Sequence, residues 1–167
     1  MRLIPLIFAL LITAAAPAQS TKNIMLKRLT PEGMVYFIKP LIYKGETGKV
    51  EVDFTFFQPK DTDSLRLTIN ATLEDKTIKG TPETFALQSS TTLPSDSLSL
   101  LYLEREGRKW RSRVSTIWHT PASLDALSGD HQLVLRYPSA TITLTPRNKA
   151  RKRLDVALTT IRYEVGR

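Results

Sequence analysis

The chain has 167 residues, no cysteine and a formal net charge of +8. The missing thiols exclude a disulfide framework, a cysteine nucleophile and any Cys-ligated zinc site. The length suits one domain able to build a core without such staples. The charge is unevenly placed: residues 19–100 carry 10 basic and 10 acidic side chains, whereas residues 101–167 carry 13 basic against 6 acidic. That asymmetry points towards an anionic partner met by the second half of the chain.

Met1 and Arg2 lead into an almost wholly apolar run over residues 3–15, and Ala16-Pro17-Ala18 has the small-x-small spacing of a signal-peptidase site. Residues 1–18 therefore read as a secretory signal, since the run is well short of the roughly 20 residues that span a bilayer. The expectation is a periplasmic or secreted domain over 19–167, with no transmembrane segment after cleavage and no acylated cysteine.

Residues 20–31 read as a lead-in with at most one short strand. The β-prone run Val35-Tyr36-Phe37-Ile38, then Leu41-Ile42-Tyr43, is interrupted by Pro40, which removes a ladder donor and predicts an edge strand or a bulge. After the turn Gly45-Glu46-Thr47-Gly48, Val50, Val52, Phe54 and Phe56 alternate with Glu51, Asp53 and Thr55, completing a hairpin. Leu65, Leu67, Ile69, Ala71 and Leu73 give the cleanest half-buried strand. A weaker strand over 84–88 leads into a serine- and threonine-rich linker over 89–97.

Residues 98–104 are again strand-like and turn through Glu106-Gly107-Arg108 into residues 109–118. There Trp110, Ser112, Val114, Thr116 and Trp118 share one strand face, and Lys109, Arg111, Arg113, Ser115 and Ile117 share the other. The first face predicts core and the second a basic surface.

Thr120 as a cap, Pro121 at the first helical position and the stop at Gly129 predict a short helix near 121–128. A second hairpin follows, with Leu133, Leu135 and Tyr137 on one strand and Ala140, Ile142 and Leu144 on the next. In the tail, Ala150, Leu154, Ala157, Leu158, Ile161 and Val165 fall on one helical face, with Thr145 and Pro146 as its expected start. Thr159, Ile161, Tyr163 and Val165 also alternate, so a helix ending in an extended segment is the competing reading.

Roughly eight alternating strands joined by short turns predict an all-β fold, an antiparallel β-sandwich or flattened barrel, with a C-terminal amphipathic helix. Two basic clusters are the candidate binding residues: Arg105, Arg108, Lys109, Arg111 and Arg113 on the hairpin, then Arg147, Lys149, Arg151, Lys152 and Arg153. The predominance of arginine suits fork-like pairing with phosphate or carboxylate. Whether the clusters meet is open from sequence.

Other chemistry is thinly supported. His119 and His131 match no metal spacing, and no Gly-x-Ser-x-Gly elbow accompanies the serines. No metal or cofactor is expected. Asn70-Ala71-Thr72 fits a glycosylation acceptor but lies mid-strand. Paired carboxylates, Glu51 with Asp53 and Glu104 with Glu106, keep a carbohydrate-active or other hydrolytic enzyme as the alternative. The leading expectation is an exported, noncatalytic binding or structural module of the cell envelope. Its anionic partner would be an envelope polymer, a lipid headgroup or an acidic protein surface, with nucleic acid disfavoured by export.

Overall fold

The computed structural model describes residues 23–46, 48–76, 80–119 and 122–166. Among them ten strands form one antiparallel sheet: β1 (Met25–Thr30), β2 (Gly33–Gly45), β3 (Gly48–Pro59), β4 (Arg66–Asp75), β5 (Thr84–Gln88), β6 (Thr92–Pro94), β7 (Ser97–Glu106), β8 (Lys109–Trp118), β9 (Gln132–Tyr137) and β10 (Ala140–Pro146). Two helices, α1 (Ala122–Ala126) and α2 (Asn148–Val165), complete the described chain. The proposed signal residues 1–18, the segment 77–79 and the expected helix start at Thr120 and Pro121 lie outside the described residues.

The all-β expectation holds, as a curled half-barrel sheet rather than two stacked sheets. Strands run in the order β6-β5-β9-β10-β2-β3-β4-β8-β7, with β1 also paired to β2. The end strands β6 and β7 are joined by only Ser95 and Asp96, so the sheet must curl until its two ends lie side by side. Ser95 N–H donates to Phe85 O (2.9 Å) and Asp96 N–H to Ile117 O (2.8 Å), tying the connector to both ends. The Phe85 and Trp118 rings meet edge to face inside, centroids 5.6 Å apart. β6 corrects the reading of 89–97 as a plain linker, because residues 92–94 pair with residues 86–88.

Alternation puts one face of nearly every strand into a single core. Tyr36, Ile38, Leu41 and Tyr43 on β2 meet Val50, Val52, Phe54 and Phe56 on β3 and Leu67, Ile69, Ala71 and Leu73 on β4. Ile38 and Leu41 both face inward although three residues apart, because the β2–β3 register slips between them at Pro40. The bulge expected from that proline is present. On its other edge β2 pairs with β1 as far as Ile38 and with β10 at Tyr43 and Lys44. Pro40 therefore sits where one neighbour has ended and the next has not begun, and its missing N–H costs the ladder nothing.

The tail is a single helix through Val165. Ala150, Leu154, Ala157, Leu158 and Ile161 are buried, the face expected from their spacing, and Val165 packs partly against it. The expected start at Thr145 and Pro146 is corrected. Pairing with Lys44 and Tyr43 holds both residues extended in β10, and Arg147 becomes the N-cap without a side-chain cap bond. Salt bridges tie the helix to its surroundings: Glu164 to Lys27 (2.6 Å), Arg162 to Asp125 (2.7 Å) and Arg151 to Asp130. No described helix is long and apolar enough to cross a membrane.

Candidate functional site

The β7–β8 hairpin carries the first basic cluster, and the register divides it. A bulge between Leu100 and Tyr102 shifts the parity of β7, so Tyr102, Glu104 and Glu106 lie opposite Arg113, Arg111 and Lys109 on the outer face. On the other side of β8, Thr72 and Glu74 of β4 lie opposite Arg113 and Arg111. Lys109 Nζ is 3.6 Å from a Glu74 oxygen, and the Arg111 guanidinium lies 6.0 Å from the Tyr102 ring centroid. Lys109 and Arg111 thus have carboxylates on both sides.

Arg113 is more deeply committed. Its Nη2 donates to Asp53 Oδ2 (2.5 Å) and its Nη1 to Thr72 Oγ1 (2.7 Å), while Asn70 Nδ2 donates to Asp53 Oδ1 (2.7 Å). Asp53 is 3% exposed, although sequence alternation places it on the solvated side. Both its oxygens are occupied, so it is a buried structural anion with Arg113 as its counterion. This weakens the paired-carboxylate reading, because Asp53 has no free oxygen for an acid–base role. Glu104 and Glu106 stand exposed on the outside of the curl beside Arg111 and Lys109. Asn70, within the acceptor sequence, spends its amide on Asp53.

Arg105 lies opposite Trp110 on the other face from Arg111, and Arg108 occupies the turn. Both are exposed and carry no ion pair among the described residues.

The second cluster surrounds the first turns of α2 and divides differently. Arg147, Lys149 and Lys152 are exposed and have no ion pair among the described residues. Arg151 pairs with Asp130, and Arg153 Nη2 donates to Asn23 O (3.1 Å). The clusters do not merge into one patch. Arg147 N–H reaches Ile42 O (3.4 Å) on β2, and β3 and β4 separate that strand from β8, roughly 14 Å at ordinary strand spacing.

Two clefts flank the start of α2. The first is the notch left on β2 between β1 and β10, about 280 Å³, with Arg147, Lys149 and Arg153 at its rim and Pro40, Leu41, Ile42 and Ala150 as its walls. The second, about 450 Å³, is polar and is lined by Gln88, Ser89, Gln132, Thr145, His131 and the Asp130–Arg151 pair. Sequence reading missed both, and the only trace of the notch was Pro40 breaking a strong strand.

The histidines have separate partners. His119 is exposed and lies 3.1 Å from Asp96 Oδ2, and the hydrogen bonds from its backbone and side chain hold the Asp96 carboxyl below its ordinary range. His131 is 3% exposed, with Nε2 2.8 Å from the Tyr43 hydroxyl and Nδ1 3.2 Å from Gly129 O. A carbonyl only accepts, so Nδ1 carries the proton and Nε2 accepts from Tyr43. Burial pushes the His131 pKa down and the Tyr43 pKa up. Among the described residues no three of His, Asp and Glu gather as a metal requires.

Comparison with protein-family models, curated proteins and solved structures finds no match for this chain.

Proposed function

We propose that the chain is an exported, noncatalytic binding module of the cell envelope that holds an anionic partner through the basic surface around the first turns of α2. The observation that carries this reading is a contrast in availability. Arg147, Lys149 and Lys152 are exposed without ion pairs among the described residues, whereas Lys109, Arg111 and Arg113 face Glu74, Glu104, Glu106 and Asp53. Lys109 and Arg113 are balanced at contact distance, 3.6 Å from Glu74 and 2.5 Å from Asp53, and Arg111 lies between Glu74 and Glu104 in register. Cations so neighboured add little field beyond a Debye length of about 8 Å. The α2 cluster therefore leads, and Arg105 and Arg108 at the hairpin tip are the secondary contact. An envelope polymer, a lipid headgroup and an acidic protein surface all supply the required charge.

The test is retention of the protein on an anionic matrix and on envelope extract across a salt series. Two folded variants are compared: Arg147→Gln/Lys149→Gln/Lys152→Gln and Arg105→Gln/Arg108→Gln. The expected result is salt-sensitive retention that the α2 variant loses and the hairpin variant largely keeps. Loss confined to the hairpin variant would move the site to β7–β8, and equal retention of all three proteins would overturn the proposal.

A further inference from the structure

We infer that the notch between β1 and β10 is a binding site for a single-chain anionic amphiphile, a phosphate or carboxylate headgroup bearing an alkyl chain. This deepens the anion-binding reading above and rests on it. The notch exists because the outer edge of β2 has no partner strand between Ile38 and Tyr43, where Pro40 and the register slip fall. Its two ends are fixed by backbone bonds, Lys39 N–H to Ile24 O (2.9 Å) and Arg147 N–H to Ile42 O (3.4 Å). The gap is thus part of the sheet's construction.

Its chemistry is two-sided. Three cations stand at the rim, and no carboxylate is among the lining residues. Arg153 is anchored there through one nitrogen by its bond to Asn23 O, which orients the guanidinium. Beneath the rim Pro40 and Ile42 offer apolar surface, over a base closed by Leu41 (1% exposed) and Ala150 (5%) of the hydrophobic core. An inorganic anion satisfies the rim and leaves the apolar surface of Pro40 and Ile42 wet. A neutral hydrocarbon covers that surface and leaves three cations uncompensated. Only a ligand with both parts matches both surfaces. The notch, about 280 Å³, is of a size to take a headgroup and a short run of methylenes.

The probes are butyl, hexyl and octyl phosphate below their micellar concentrations, with inorganic phosphate as reference, titrated calorimetrically into the protein. Affinity is expected to rise roughly three- to fourfold per methylene until the notch is full. Lys149→Gln, an exposed change that leaves the core alone, and Arg147→Gln/Arg153→Gln are each expected to weaken octyl phosphate severalfold or more. Ile42→Ser is expected to flatten the chain-length series while sparing inorganic phosphate. Inorganic phosphate binding as tightly as octyl phosphate overturns the inference but leaves the anion-binding reading standing. Octyl phosphate bound equally by the charge variants overturns the cationic rim. No saturable binding at millimolar concentration overturns the site altogether. Co-sedimentation with anionic against zwitterionic vesicles separates the sources. Vesicle binding competed by octyl phosphate assigns the headgroup to a bilayer lipid, and octyl phosphate binding without co-sedimentation assigns it to a free amphiphile.

Discussion

Tyr43 and His131, 88 residues apart in sequence, are joined by a buried hydrogen bond of 2.8 Å between the phenol oxygen and Nε2. The Gly129 carbonyl fixes the ring from its other side, so the pair is satisfied only with neutral imidazole. A proton added to Nε2 turns it from acceptor into donor and places a charge against the core. Burial opposes that charge most, and Arg151 adds to the opposition, while the Gly129 carbonyl, Asp155 and Asp130 favour it. Burial outweighs the rest, and the native pKa lies below the ordinary 6.5. The sign follows by linkage: the contribution is full above pH 6.5 and is lost as pH falls from there to the depressed native value. Urea midpoints should therefore drop between pH 7.5 and 5.0 in the native protein. In His131→Gln the decline over that window should largely vanish, and an unchanged slope would refute the assignment.

Asp53 and Arg113 should behave as one unit. Arg113→Met leaves the Asp53 carboxylate buried without its counterion and is expected to cost about 3 kcal/mol. Asp53→Ala/Arg113→Met removes both charges and should be more stable than the sum of the two single changes predicts. Chemical denaturation of the four proteins measures the coupling. The same Arg113→Met variant should keep its salt-sensitive retention on an anionic matrix, because the arginine is committed to the sheet.

These two pairs mark where the sequence stops being informative. Period-2 alternation exposed the core faces of β3, β4, β8, β9 and β10, because one buried face per strand writes itself into the residue order. Pro40 signalled its own bulge through its missing donor. Asp53 misled, since alternation reports which face a residue occupies but not whether a cross-strand arginine covers it. Arg113 lies 60 residues away, and only the β3-β4-β8 order brings the two together. The start of α2 was misplaced for a related reason: Thr145 and Pro146 carry a good local cap signal that pairing with β2 overrides. The notch was illegible because it is made by where β1 ends and β10 begins.

Gly33 should be the least replaceable glycine of those in turns. Its φ of 153° is one that L side chains rarely adopt, and a Cβ there would stand 2.1 Å from Gln58 O, a backbone atom with no freedom to withdraw. Gly107 also has positive φ, at 61°, but nothing lies within 4 Å of its Cβ position. Gly107→Ala should cost only the left-handed penalty of about 1 kcal/mol. Gly33→Ala should add a clash and cost about 1–3 kcal/mol more. Thermal denaturation of both variants gives the ranking, and equal losses would contradict it.

The attachment of α2 to the curled sheet should rest on its apolar stripe rather than on its ion pairs. Leu154 is fully buried among core side chains, and Leu154→Ala is expected to cost about 2–5 kcal/mol through lost transfer energy and the cavity left behind. Lys27 and Glu164 approach to 2.6 Å, yet the lysine side chain is 42% exposed, and such pairs contribute about 0–1 kcal/mol. Lys27→Ala should therefore leave the denaturation midpoint nearly unchanged and reduce what little salt dependence the pair confers. Because the rim residues Arg147, Lys149 and Arg153 precede or flank Leu154 on the same helix, loosening its docking should also weaken octyl phosphate binding. Lys27→Ala should leave that binding intact. Calorimetry on Leu154→Ala at a temperature where the variant is still folded separates the two: a notch assembled by α2 docking loses affinity there, and one formed by β2 alone keeps it.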